Sequence, residues 1–369
     1  MMETRIIKLN DYCRTEILSD ADREKLKEAA EILKEGGLVA FPTETVYGLG
    51  GNALMPEASE RIYAAKGRPS DNPLIVHIAD IKDLKPLVSE IPEAARKMAE
   101  RYWPGPLTMV FKKSPLVPSR TTGGLDTVAV RFPVHPAAME LIRLSGVPVA
   151  APSANRSGRP STTTAAHCIE DLTGRVDAIV DGGSADIGVE STILDVSGEE
   201  PQLLRPGAVT KEMIEETLGI ELAEDAALKG PLAADVRPKA PGMKYRHYAP
   251  KAPMQLVMGK NGSEAVAPAI LSCLLESIRK GRKTALLCSE ECLRELKALD
   301  SFPEKDIIIK PGGSRRDQYA MAHDLFELLR EMDETDAEYI IAEGCSEEQL
   351  GYAVMNRLKK AAAWQILYV

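Results

Sequence analysis

Val147-Pro148-Val149-Ala150-Ala151-Pro152-Ser153-Ala154-Asn155-Arg156-Ser157-Gly158 runs from an unbroken apolar stretch straight into a polar tip. A short apolar run without alternation is the pattern of a strand buried on both faces. In α/β sheets ligands collect just beyond the ends of such strands. Ser-Ala-Asn is equally the sequence of an Asx turn, which by itself carries no function. Similar runs recur to about residue 210: GLVAFPTE (37–44), PLIVHI (73–78), LTMVFK (107–112), TVAVRF (127–132), AIVDGG (178–183), STILDV (191–196) and QLLRPG (202–207). Helical segments at 56–66, 92–101, 136–145, 164–173 and 210–217 separate them. Residues 20–35 place Leu26, Ala29, Ala30 and Leu33 at helical spacing, with Ser19 or Asp20 as N-cap and Gly36-Gly37 as the stop. This interleaving predicts an α/β (α+β) domain around a substantial mixed sheet.

Further along, no acidic residue occurs between Val236 and Ser263, whereas Arg237, Lys239, Lys244, Arg246, Lys251 and Lys260 do, among four prolines. That composition predicts a basic, extended linker. Beyond it strand and helix alternate regularly: MQLVMG (254–259), a helix over 263–280, KTALLCS (283–289), a helix over 290–299, DIIIK (306–310), a helix over 315–332, YIIAEG (339–344) and a helix over 346–362. The expectation is a small parallel, Rossmann-like second domain. Two domains also suit 369 residues, at roughly 100–200 residues per core.

Apolar residues at 44% and charged residues at 27% place the chain among globular proteins. The first twenty residues lack a signal-peptide core, and no run of about 18 apolar residues occurs, so a cytoplasmic protein without a membrane segment is expected. Six cysteines without a C-x-x-C pair argue for buried thiols rather than a zinc knuckle. A net charge of −9 opposes nonspecific attraction to nucleic acid, so any anion site must be local.

Gly48-Leu49-Gly50-Gly51-Asn52-Ala53 fits G-x-G-x-x-A, but Pro42-Thr43-Glu44-Thr45 interrupts the strand before it. A glycine-lined turn beside a ligand is the expectation in place of a dinucleotide fingerprint. There is no G-x-x-x-x-G-K-[ST], so bound ATP must be held by discrete side chains. Lys66-Gly67-Arg68-Pro69 sets two cations beside one glycine, either as a solvated helix end or as a polyphosphate grip. With Arg131 and Arg205 next to other apolar strands, they make four cations able to cradle a triphosphate and a carboxylate.

In order, PTETVYGLG, KGRPSDNPL, WPGPLT, AVRFP, PSAN-x-SG, ESTI-x-D and LRPG resemble the YrdC-like domain of threonylcarbamoyl-AMP synthases. PGMKYRHYAP (241–250) and LGYAVMNRLKKAA (350–362) resemble the linker and C-terminal domain of the two-domain members. The resemblance implies a YrdC-like twisted mixed sheet with a concave ligand face over residues 1–218 (core 22–211). It implies a linker acting as a lid over 219–254 and the Rossmann-like domain over 255–369. It also implies catalytic Lys66, Arg68, Ser153 and Asn155, with Asn72, Thr127, Ser161, Arg205 and Tyr245 adding to the ATP side. Tyr248 is the alternative to Tyr245, and Arg246 accompanies them. Thr45, His77, Arg131, the backbone at Ala151, and Ser191 are implied on the threonine side.

The activity so implied joins L-threonine, bicarbonate and ATP into threonylcarbamoyl-AMP and pyrophosphate. Mg²⁺ enters with ATP, no protein side chain ligates a metal, and no organic cofactor is expected. The product goes to a separate tRNA-modifying transferase complex, with at most weak RNA contact by this chain. The reaction needs alignment and charge neutralisation rather than a protein nucleophile, in keeping with the lack of a Ser-His-Asp or Cys-His pattern. Its rivals are a noncatalytic RNA-binding module of YrdC type and a relative that uses carbamoyl phosphate.

Overall fold

A computed structural model describes residues 3–10, 18–230, 236–244, 247–260 and 265–369. The chain divides into two compact units, one of residues 1–157 and 161–244, the other of 158–160 and 245–369. Within the stretch 219–254, the described residues up to 244 group with the first unit and 247–254 with the second.

The first unit is built from β1 (Arg5–Lys8), α1 (Asp20–Lys34), β2 (Val39–Phe41), β3 (Gly48–Asn52), α2 (Pro56–Lys66), β4 (Ile75–His77), α3 (Glu93–Tyr102), β5 (Leu107–Lys112) and β6 (Thr127–Arg131). It continues through α4 (Pro136–Ser145), β7 (Val149–Ala150), α5 (Ala165–Leu172), β8 (Ala178–Asp181), β9 (Thr192–Asp195), β10 (Gln202–Arg205), α6 (Lys211–Leu218) and β11 (Ala223–Glu224). Its strands form a mixed sheet in the order β1-β8-β2-β3-β7-β4-β6-β5-β9-β10-β11. Helix α1 starts where expected, the Ser19 hydroxyl accepting from the Asp22 amide, and it ends before Gly36, whose φ of 84° few other residues adopt. Leu26, Ala29, Ala30 and Leu33 bury its apolar stripe with α4 against Val39, Phe41, Val149 and Val180 of the sheet.

The glycine run is not a turn. Gly48–Asn52 is β3, fully buried and paired antiparallel with β2 and β7. A Cβ at Gly50 would stand 2.8 Å from the Phe41 ring and 2.9 Å from Val149 Cγ1. These glycines let side chains close over the strand, a packing requirement that leaves no periodic pattern in the sequence.

In the second unit, β12 (Met254–Met258), α7 (Val266–Arg279), β13 (Thr284–Cys288), α8 (Glu290–Lys297), β14 (Ile307–Pro311), α9 (Gln318–Asp333), β15 (Tyr339–Glu343), α10 (Leu350–Ala361) and β16 (Ile366–Tyr368) follow one another. The sheet order is β14-β13-β15-β12-β16 and every pairing is parallel. Helix α7 packs with α8, and α9 with α10. The Rossmann-like expectation holds, with the short edge strand β16 added.

Candidate active site

Strand register assembles the centre of the site. His77 pairs with Val149 on β7 and with Arg131 on β6, and Arg131 pairs with Thr108 on β5. Because paired residues share a face, His77, Arg131 and Thr108 form a transverse polar row. The next row on that face, two residues back along β4 and β6, is apolar: Ile75, Ala129 and Val110. Thr127 lies beyond it, paired with Lys112. Four residues of strand separate Arg131 from Thr127, or about 13 Å at the usual rise. One face therefore offers a polar end, an apolar middle and a hydroxyl at its far end.

The apolar row forms one buried cluster with Ile193 of β9, Leu204 of β10, Ala227, Ala240 and Met243. The last two belong to the basic stretch, of which Arg237 also donates to Gly124 O at 3.2 Å and Lys239 stands 3.7 Å from Asp195 Oδ2. The part of that stretch before Tyr245 thus packs against the first unit's sheet residues Ile75, Val110 and Ala129.

At the polar end, Arg131 is buried. Its Nη1 donates to Thr45 Oγ1 at 2.8 Å, and its Nη2 lies 2.7 Å from Glu44 Oε1 as an ion pair. That pair is close but misaligned: Arg131 Nε and Nη2 and both Glu44 oxygens lack a hydrogen-bond partner of good geometry. Leaving buried polar atoms so placed is costly unless a ligand satisfies them. The Asn72 Oδ1 and Thr162 Oγ1 atoms are buried in the same condition. His77 Nδ1 lies 3.2 Å from Ile75 O. Burial, with Arg131 adding to it, pushes the imidazole down to about 3, so it is neutral at physiological pH. His135 is lowered too, chiefly by burial. Ser191 Oγ is 2.7 Å from Thr108 Oγ1 and accepts from Arg205 Nη2 at 3.1 Å, while Arg205 Nε donates to Ser191 O. Arg205 thereby reaches the polar row through Ser191.

The Ser-Ala-Asn tip folds back on α2. Lys66 Nζ donates to Ser153 O at 2.5 Å and to Asn155 O, and Ser157 N donates to Lys66 O. Ser153 Oγ donates to Asn155 Oδ1 at 2.5 Å. Ala151 N donates to Ile75 O, and Leu49 N and Tyr47 O hold Pro152 and Ala154, so the tip is seated where β7 leaves the sheet. Lys66 is no solvated helix end, since it is buried. Arg68 is likewise buried, donating to Asn72 O and Pro73 O. These bonds to carbonyls orient cations without cancelling their charge. Ser161 donates to Glu190 Oε1 at 2.5 Å.

A family profile described as "Telomere recombination" matches residues 31–207, and one described as "Threonylcarbamoyl-AMP synthase, C-terminal domain" matches 209–363. The threonylcarbamoyl-AMP synthase of Pyrococcus abyssi (strain GE5 / Orsay) is 48% identical over 345 residues, covering 94% of this chain and 96% of the relative. That of Bacillus subtilis (strain 168) is 44% identical over 355 residues, covering 96% and 97%. The crystal structure of P. abyssi Sua5 complexed with L-threonine superposes with a TM-score of 0.89 at 45% identity, over 99% of this chain and all of that one.

The chain belongs to the threonylcarbamoyl-AMP synthase family. Membership favours the catalytic reading over a noncatalytic RNA-binding module, and it accounts for both units at once. Of the residues the motifs nominate for this synthase, the structure gathers Thr45, His77, Arg131 and Ser191 around one polar row and Lys66, Ser153 and Asn155 around one loop. Asn72 joins Arg68, and Thr127 stands at the far end of the face. Tyr245 and Arg246 lie outside the described residues. Tyr248 is buried in the second unit, its ring stacked on Phe326 at 5.2 Å. Residue-by-residue reading missed Glu44, Thr108 and Glu190, the partners of Arg131, Ser191 and Ser161. All three sat in view inside PTET, WPGPLT and EST, but the partner of a buried side chain is fixed by tertiary packing rather than by neighbours in the chain. No helix among the described residues is long and apolar enough to cross a membrane.

Proposed function

We propose that the concave face condenses L-threonine, bicarbonate and ATP into threonylcarbamoyl-AMP and pyrophosphate, a nucleotidyl transfer. The observation that carries this reading is the buried polar row, with misaligned Glu44 and Arg131 at its centre, set one strand-length from Thr127 across an apolar strip. Arg131 is suited to the threonine carboxylate, Thr45 and Ser191 to its polar groups, and neutral His77 to a hydrogen bond with no charge of its own. The carbonyl at Ala151, just past the end of β7, is suited to the amine. Lys66, Arg68, Asn72, Ser153, Asn155, Ser161 and Arg205 form the phosphate end, and Thr127 belongs with the nucleoside.

The threonine nitrogen first attacks the carbon of bicarbonate; the N–C bond forms, a C–O bond breaks, and the departing hydroxide leaves with a proton from the amine as water, giving N-carboxy-threonine. A carbamate oxygen then attacks the α-phosphorus of ATP, and the bond from that phosphorus to the bridging oxygen breaks to release pyrophosphate. Alignment and positive charge at the leaving group are what the protein supplies. Carbamates decompose in water, so the Ala240–Met243 cover serves to exclude solvent. Among the described residues no group of three or more His, Cys, Asp or Glu side chains is arranged to hold a metal ion. In this reading magnesium travels on the phosphates of ATP as part of the substrate. The product passes to a tRNA-modifying transferase complex, and the reaction takes place in the cytoplasm.

The test is pyrophosphate release from ATP and bicarbonate with and without L-threonine, the nucleotide product being identified by mass. Strict dependence on threonine with the threonylcarbamoyl-AMP mass is expected. Turnover indifferent to threonine would overturn the reading.

A further inference from the structure

Three residues of the nucleotide-side loop belong to the second unit. Gly158–Pro160 groups with residues 245–369, although Ser157 and Ser161 on either side belong to the first. Within the second unit, Arg330 of α9 donates from Nη2 to Pro160 O at 2.7 Å, and Ala249 N donates to Gly158 O at 3.1 Å. Both holds are well supported. Arg330 is 3% exposed, and one turn earlier on the same helix Phe326 stacks on Tyr248, the neighbour of Ala249. Gly158 has φ of 92°, a conformation that lets the chain turn there without strain from a Cβ. The segment is anchored at both ends as well, by Ser157 N on Lys66 O and by the Ser161 hydroxyl on Glu190.

We infer that Arg330, by holding the Pro160 carbonyl, sets the conformation of the chain between Asn155 and Ser161, and that it is a positioning residue for ATP binding. This gives α9 and the His-Tyr-Ala segment a part in the reaction without contact with any reacting atom. A backbone carbonyl held by a buried guanidinium has little freedom, so Ser161 is delivered at a set distance from Asn155. The inference rests on the assignment of Asn155 and Ser161 to the nucleotide.

The experiment uses the full-length protein with Arg330→Ala and Arg330→Lys, and measures KM for ATP and for threonine separately from kcat. Arg330→Ala should raise the KM for ATP at least fivefold while the KM for threonine stays within twofold, and Arg330→Lys should fall between it and the wild type. An unchanged KM for ATP, an equal rise in both constants, or a fall in kcat alone would overturn the inference, because a general loss of folding lowers the active fraction without selecting one substrate. If Arg330→Ala does not fold, Arg330→Lys is judged by the same criteria at a threshold of twofold. Asn155→Ala and Ser161→Ala run alongside separate the two failures. A normal KM for ATP in those variants would remove the nucleotide-side assignment and the inference with it; a raised one beside normal Arg330 variants would remove the inference alone.

Discussion

Arg131 and Glu44 face each other across 2.7 Å in the interior of the first unit, close enough for an ion pair yet turned so that their hydrogen-bonding geometry stays unfulfilled. A buried pair in this state contributes little to stability by itself, but removing one member exposes the full cost of the other, roughly 3–5 kcal/mol. The arrangement also stands ready for a zwitterion, with an acceptor and a donor side by side. Arg131→Ala should therefore lower the thermal midpoint and raise the KM for threonine more than tenfold, with the KM for ATP changed less than threefold. Steady-state kinetics on the folded variant checks this, and equal effects on the two substrates would contradict the assignment.

Lys66 holds the carbonyls of Ser153 and Asn155 from the last turn of α2. Lys66→Ala removes both the hold and a charge that the proposed function sets beside the phosphates, so threonine-dependent pyrophosphate release should fall by about 10²-fold or more. Circular dichroism should show the fold retained. Activity within a few-fold of wild type in a folded variant would refute the role.

Gly207 follows Arg205 at the back of the site. A Cβ there would meet Thr192 N at 2.5 Å and Glu190 O at 2.9 Å, both backbone atoms unable to move aside independently. Gly207→Ala should cost about 1–3 kcal/mol and displace Ser191. Denaturant melts and the KM for threonine should change together. A stable variant with normal KM would show that the contact yields without consequence.

His77 is buried in neutral form, its imidazole lowered from the ordinary 6.5 to about 3 by burial first and Arg131 second. The unfolded chain takes up a proton at His77 below about pH 6.5 and the folded chain does not, so this contribution to stability is complete above pH 6.5 and is lost as pH falls toward 3. Thermal midpoints between pH 7 and 4 should fall more steeply in the wild type than in His77→Gln. Parallel slopes would contradict a buried neutral histidine.

The amino-acid order alone determined most of the elements, because amphipathic spacing, caps and apolar runs are properties of residues close in the chain. Helix α1 with Ser19 and Gly36 is an example, as is the regular alternation of the second unit. It also nominated Lys66 and Arg131, since charges beside buried strands are conspicuous in a net-acidic chain, and Ser153 and Asn155, since they form a polar tip directly after an apolar run. It did not disclose β3, whose glycines carry no periodicity, or the edge strands β1, β11 and β16. What only the tertiary structure decided were the pairings between distant residues: Glu44 with Arg131, Thr108 with Ser191, Lys66 with the Ser153–Asn155 carbonyls, and Arg330 with Pro160. Each depends on strand register or on the packing of elements many residues apart, and a shift of one residue in register would turn those side chains to the opposite face.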